Sequence, residues 1–98
     1  MSYGLVLVFE GVSEEDYWAV NDKLGIVPDS NDNYPDGLLA HTGGPTAGGG
    51  WVVIELWQSK AAQEAFMSTQ LGAALGAAGV PAPSQMIETE TVNDRYFG

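Results

Sequence analysis

The sequence predicts an α+β fold in βαββαβ order, with four antiparallel strands and two helices packed on one face of the sheet. Three observations carry this. Two seven-residue runs, Tyr3 to Phe9 and Trp51 to Trp57, are dense in branched and aromatic residues. Two helical patterns each open on a serine, at Ser13 and Ser59. A glycine-rich connection joins the second strand to the third. At 98 residues the chain is expected to form a single domain over 1–98, and no internal repeat or linker divides it.

Tyr3-Gly4-Leu5-Val6-Leu7-Val8-Phe9 reads as the first strand and Gly11 ends it. Ser13 stands at an N-cap position before Glu14, Glu15 and Asp16, whose charges suit the positive end of a helix, and Asp16 is a short-armed capping-box acid. Tyr17, Val20 and Leu24 recur at helical spacing, and Gly25 offers a C′ stop. From Val27 to Gly37 the composition turns to Asp, Asn, Ser and Pro, which is loop chemistry. A second strand is predicted over residues 37–42, a flexible loop over 43–50 and a third strand over 51–57; the middle two strands then form a hairpin. Ser59 caps the second helix. Its early stripe (Ala62, Ala65, Phe66) is out of phase with its later one (Leu71, Ala74, Leu75, Ala78), so a kink or break is expected near residues 70–72. Gly79, Pro81 and Pro83 end the segment, and alternation over residues 85–92 predicts a fourth strand. Two βα units around a central hairpin make the ferredoxin-like arrangement.

Charge and composition exclude several function classes. Lys plus Arg number 3 against 13 Asp plus Glu, a formal charge of -10. Such a field repels phosphates, so no nucleic acid and no membrane surface is expected as a partner. The absence of cysteine excludes disulfides, thiolate metal sites and cysteine nucleophiles. One histidine cannot build a multi-histidine site within one chain. There is no basic leader segment and no apolar run near the ~20 residues that span a bilayer, so a soluble, cytoplasmic protein is expected. Asp29 to Asn33 begins like a calcium loop, but Tyr34 stands at the required Gly and Ala40 at the closing Glu. Residues 43–50 lack the lysine of a phosphate-binding loop, and no metal or cofactor is expected.

The strand pattern makes a further demand. The first strand gives Leu5, Leu7 and Phe9 to one face and Val6 and Val8 to the other; the third gives Trp51, Val53 and Trp57 against Val52, Ile54 and Leu56. Strands read this way when both faces leave water. Two short helices can cover only one face, which leaves an apolar patch of about several hundred Å2. Covering it is worth roughly 10 kcal/mol before association costs. A second copy of the same sheet is the simplest cover, so a homodimer is expected.

Pro35-Asp36-Gly37-Leu38-Leu39-Ala40-His41, then Gly50 through Ser59, Phe66, and Leu71 through Pro81 together resemble the small dimeric α/β-barrel proteins, and within them the antibiotic-biosynthesis-monooxygenase-like branch. That superfamily includes cofactor-free oxygenases of polyphenolic polyketides, quinol oxygenases, haem-degrading oxygenases, lactone isomerases and cyclases. The resemblance implies a pocket in each subunit between the helices and the concave sheet. It places Trp57 at the aromatic that ends the third strand, and Phe66 where many oxygenase members carry a helical His. Haem-degrading members resemble one another through that His and an early Asn, and this chain has no Asn before position 21 and no His after position 41.

Two polar residues stand out within the apolar strands. His41 is the one side chain whose ordinary pKa lies near neutrality, which makes it the candidate proton shuttle; the alternative is a structural histidine bonded to backbone. Glu55 lies mid-strand, where an unpaired carboxylate is costly. It either orients His41 or acts as a base, or else pairs at the barrel rim with Lys60 or Arg95. Pairing Thr42 with Trp51 puts His41 and Glu55 on opposite faces, and a one-residue slip unites them. Phe9, Trp18, Trp51, Trp57 and Phe66 are candidates for an aromatic wall around a substrate, with Met67 and Leu71 at a deformable entrance. Taken together, these features predict a cofactor-independent enzyme acting on a small apolar, aromatic or polyketide-like molecule, of monooxygenase or cyclase/isomerase type. The alternative is a non-catalytic small-molecule-binding or stress-related protein with the same pocket.

Overall fold

A computed structural model describes residues 2–97. Its elements are β1 (Tyr3–Phe9), α1 (Glu14–Leu24), β2 (Leu38–Pro45), β3 (Trp51–Trp57), α2 (Lys60–Phe66), a π-helical turn (Met67–Leu71), α3 (Gly72–Ala78) and β4 (Gln85–Glu90). The four strands form one antiparallel sheet in the order β2-β3-β1-β4, the ferredoxin-like topology. No described helix is long and apolar enough to cross a membrane.

The local sequence explains the element ends. Ser13 Oγ accepts from the Asp16 amide and Asp16 Oδ2 accepts from the Ser13 amide, both at 3.1 Å, which closes a reciprocal capping box on α1. Gly25 ends α1 at φ 77°, a left-handed value that a side chain would resist. Ser59 caps α2 through the Ala62 amide at 3.1 Å. Within the loop between α1 and β2, Asp29 and Asn33 take positive φ, which their short polar side chains tolerate.

Three boundaries differ from the sequence expectation. β2 runs on through Gly43, Gly44 and Pro45, so the hairpin loop is only residues 46–50. β4 stops at Glu90, and Val92 beyond it is almost fully exposed. The second helical segment does not break. It widens into the π turn, where the Gly72 amide reaches back to the Met67 carbonyl. The wider turn acts like one inserted residue and rotates α3 by roughly 100° relative to α2. That rotation brings Ala74 and Leu75 onto the buried side already held by Phe66.

The core lies between the helices and one sheet face. Tyr3, Leu5, Leu7 and Phe9 of β1 and Trp51, Val53 and Trp57 of β3 are buried there against Val20, Phe66, Ala74, Leu75 and Val80. The other face is also apolar. Val6, Val8, Val52 and Leu56 are half-buried on it, while Ile54 and Ile87 are 51% and 50% exposed.

One edge of this core is pH-sensitive. Tyr3 donates its phenol to Glu88 Oε1, and Lys60 Nζ lies 3.7 Å from the same oxygen. Burial first, then the Glu88 bond and charge, push the Tyr3 phenol well above its ordinary value of 10.0. The Tyr3 bond first, then Lys60, hold the Glu88 carboxyl below its ordinary 4.5. A carboxylate held low contributes stability that is present above 4.5 and lost as pH falls through its folded value. A phenol held high contributes stability that is present below 10.0 and lost as pH rises through its folded value. Thermal unfolding of Tyr3→Phe should therefore show a shallower loss of Tm than the unsubstituted protein on both the acid and the alkaline side.

Candidate active site

β3 turns Trp51, Val53, Glu55 and Trp57 toward the helices, so its one carboxylate enters the core side of the sheet. Trp51 pairs with Pro45, three residues beyond Thr42, and this register sets His41 directly opposite Glu55. An odd shift puts the two side chains on the same face. His41 Nδ1 lies 2.9 Å from Glu55 Oε2. Trp57 Nε1 donates to Glu55 Oε1 at 3.0 Å. Both carboxylate oxygens are thereby satisfied, and neither Lys60 nor Arg95 is needed as a counter-charge. Lys60 pairs with Glu88 instead.

Above this pair, α1 brings down Tyr17, whose hydroxyl lies 2.6 Å from His41 Nε2. An indole can only donate and a carboxylate can only accept, which assigns the protons along the row. With Glu55 accepting from Nδ1–H, the neutral imidazole offers its Nε2 lone pair to the Tyr17 O–H. Burial pushes the Tyr17 phenol up from its ordinary value. The Tyr34 and Glu55 charges add to that rise, and the Asn21 amide, close by but outside hydrogen-bonding geometry, opposes it. The Tyr17 ring stacks on Trp51 at 5.0 Å and lies over Gly43, where a Cβ would stand 3.0 Å from its hydroxyl oxygen. Glycine at 43 is what lets the phenol reach His41.

These groups wall a cavity of about 60 Å3 between the sheet and the helices. At about 10–15 Å3 per water it has room for roughly four to six waters. Leu7, Phe9, Val53, Phe66, Leu71 and Leu75 make its apolar wall, with Tyr17, Asn21, His41 and Glu55 its polar part. Tyr34 packs on His41 at 5.6 Å between ring centroids. Tyr34, Leu38 and His41 also border an open groove along β2, so they stand between the interior cavity and solvent.

Of the residues selected from sequence, Phe9, His41, Trp51, Glu55, Phe66 and Leu71 line the cavity. Three do not. Trp57 is fully buried beneath it, packed on Phe66 and bonded to Glu55, so it acts on the carboxylate and cannot touch a ligand in the cavity. Trp18 lies one residue, and so about 100°, around α1 from Tyr17. That places it outside the cavity wall, with its indole donating to Glu14 at 3.3 Å. Met67 opens the π turn outside the wall, which Leu71 reaches instead. Tyr17, Asn21 and Tyr34 were not selected. Tyr17 and Asn21 are one helical turn apart, and a polar Asn beside an apolar stripe is the one trace of them in the sequence.

No family model and no curated protein matches the sequence. Solved structures match the fold over nearly the whole chain. Rv0793 from Mycobacterium tuberculosis aligns at TM-score 0.70 and 12% identity, over 98% of this chain and 100% of its own. A protein proposed to be an antibiotic biosynthesis monooxygenase, from Chloroflexus aurantiacus J-10-fl, aligns at TM-score 0.66 and 18% identity over 100% of both chains. A point mutant of SnoaB, a cofactor-independent oxygenase from Streptomyces nogalater, aligns at TM-score 0.62 and 13% identity, over 95% of both. The chain thus has the α+β fold seen in antibiotic-biosynthesis-monooxygenase-like proteins.

The row of bonds fixes a measurable tautomer. Nitrogen-15 NMR of His41 in the unsubstituted protein should show Nδ1 protonated and Nε2 bare. In Gly43→Ala the added methyl displaces the Tyr17 ring, and the His41 Nε2 resonance should move toward that of an imidazole nitrogen without a phenol partner.

Proposed function

We propose that this protein is a cofactor-independent enzyme acting on a small apolar, aromatic or polyketide-like molecule, of monooxygenase or cyclase/isomerase type. The observation that supports this reading most directly is the Tyr17–His41–Glu55 row, at 2.6 and 2.9 Å, set into an otherwise apolar cavity. Both His41 nitrogens are engaged, so the group presented to a substrate is the Tyr17 oxygen and His41 is the middle of a path. Substrate enters from the groove past Tyr34, and one ring is held dry against Leu7, Phe9 and Phe66. The Tyr17 oxygen takes a proton from an acidic C–H or O–H as its own proton passes to His41 Nε2. Glu55 stabilises the resulting imidazolium at Nδ1, and Trp57 holds Glu55 in place.

In the monooxygenase version the carbanion reacts with dioxygen. One oxygen atom stays on the ring carbon as a carbonyl and the other leaves as water, so a CH2 becomes C=O with the protons returned through His41. In the cyclase or isomerase version the same electron pair forms or shifts a carbon bond, and the proton goes back to a different atom.

The uncovered apolar sheet face supports a homodimer in which two sheets meet face to face. Sedimentation should give about twice the 10.4 kDa chain mass, and Ile54→Lys, on the face away from the cavity, should halve it.

Catalysis is tested by proton exchange from a panel of phenols and ketones in deuterated water. Glu55→Gln keeps an acceptor for Trp57 but loses the charge behind His41, and should slow exchange by about 100-fold or more. Tyr17→Phe should slow it comparably. Exchange unchanged in both variants would leave the cavity as a binding site without chemistry.

A further inference from the structure

β2 holds one residue more than its ladder needs. Leu38 pairs with Trp57 and Ala40 with Leu56, so Leu39 has no opposite residue and forms a β-bulge. From Leu38 to His41 the strand takes three steps while β3 takes two, from Trp57 to Glu55. Without Leu39 the ladder would be regular, and Leu38 and His41 would keep Trp57 and Glu55 as partners. The bulge is therefore not what joins His41 to Glu55. Bulges gather at sheet edges and beside active sites, where they re-aim a side chain. This one is in both places, since β2 is an outermost strand and His41 lies two residues on.

The extra residue reaches the groove outside the chamber. Leu39 is 41% exposed and lines that groove with Leu38, Ala40 and His41. The facing wall is Asn31 and Tyr34, from the loop between α1 and β2. That loop is pinned: Asn33 Nδ2 donates to the Gly25 carbonyl at 2.8 Å, and the Asp32 amide donates to Ser30 Oγ at 3.1 Å. Tyr34, Leu38 and His41 border both spaces, so a molecule reaching out of the chamber past Tyr34 lies along β2. The groove measures about 410 Å3 against about 60 Å3 for the chamber, which leaves most of a molecule with several rings outside. Among the described residues no Lys or Arg lines the groove. The loop carries Asp29, Asp32 and Asp36, and the formal charge of the chain is -10, a field that disfavours an anion there.

We propose that the groove is the outer half of the binding site and that Leu39 is its specificity-determining residue. The molecules it selects are elongated and not anionic, with one end in the chamber and a second ring against the Leu39 side chain. This rests on the reading above for the end that enters the chamber; recognition of the outer end needs no chemistry. The bulge then has a purpose that the ladder does not give it, which is to hold an apolar side chain out over the mouth. Tyr17, His41 and Glu55 act on whatever reaches them, and Leu39 decides which molecules stay long enough.

The test compares phenol with 4-phenylphenol, which carries a second ring, on the full chain. The phenol end is common to both, so the ratio of their Kd values isolates what the second ring contributes. The preference for 4-phenylphenol should fall about 5-fold in Leu39→Ser and on deletion of Leu39. In the unsubstituted protein 4-phenylphenol, but not phenol, should move the Leu39 methyl resonances, which Leu39→Ser assigns by their loss. The deletion carries its own control: nitrogen-15 NMR of His41 should still show Nδ1 protonated and Nε2 bare. A shortened chain that folds but loses this pattern would make the bulge part of the row and overturn the proposal. If the shortened chain does not fold, Leu39→Ser and the methyl shifts decide the matter alone. Either a Kd ratio unchanged in Leu39→Ser or unmoved Leu39 methyls would overturn the role of Leu39. Deuterium exchange into the phenol ring carbons, measured in the same samples, reports on the catalytic reading separately. A changed ratio without any exchange keeps Leu39 and removes that reading, whereas exchange with an unchanged ratio does the reverse.

Discussion

Burial of the Glu55 carboxylate is the constraint around which the rest of the site is arranged. An ionised group at the centre of the sheet is costly unless each oxygen has a partner. Here the partners are the Trp57 indole and the His41 imidazole, one from the same strand and one from its neighbour. That requirement selects the β2–β3 register, because any odd slip would send His41 to the opposite face and leave Oε2 bare. The register in turn places Gly43 beneath Tyr17, and the phenol closes the row. A polar network of this kind specifies its surroundings because each member is satisfied only when the others are in place.

The central strands of the fold were legible because their chemistry is redundant. β1 and β3 carry apolar residues on both faces, and Ser13, Gly25, Ser59 and Gly79 mark helix ends by local hydrogen bonding or left-handed backbone. β2 was legible only in part. Gly43-Gly44-Pro45 has the composition of a loop, yet it pairs with Val53, Val52 and Trp51 of β3, and the Tyr17 ring lies so close over 43 that a Cβ there would stand 3.0 Å from it. Tertiary contact there overrides local preference.

The site followed the same division. His41 and Glu55 stand out as polar residues in apolar strands, but their meeting depends on a hairpin register that loop composition does not encode. Tyr17 cannot be separated by sequence from a core tyrosine, since its hydroxyl partner lies 24 residues away. Trp18, its neighbour, carries the larger aromatic surface and is the more conspicuous candidate, although the helix turns it outward to Glu14. The out-of-phase apolar stripes of the second helical segment are visible in the sequence. Hidden from it is the wide turn that absorbs the phase difference at no loss of helical continuity.

That wide turn between Phe66 and Gly72 lets this segment carry one residue more than a regular helix with the same buried face would hold. A homologue one residue shorter there could form an uninterrupted regular helix with every hydrogen bond in place. Its Leu71, Ala74, Leu75 and Ala78 counterparts would stand four, seven, eight and eleven residues after Phe66, the spacing of a single helical face, and would keep their places in the chamber wall. A gain or loss of one residue at this point therefore leaves the chamber wall and the residues that handle the proton in place, because the turn widens or closes to keep both flanks in phase.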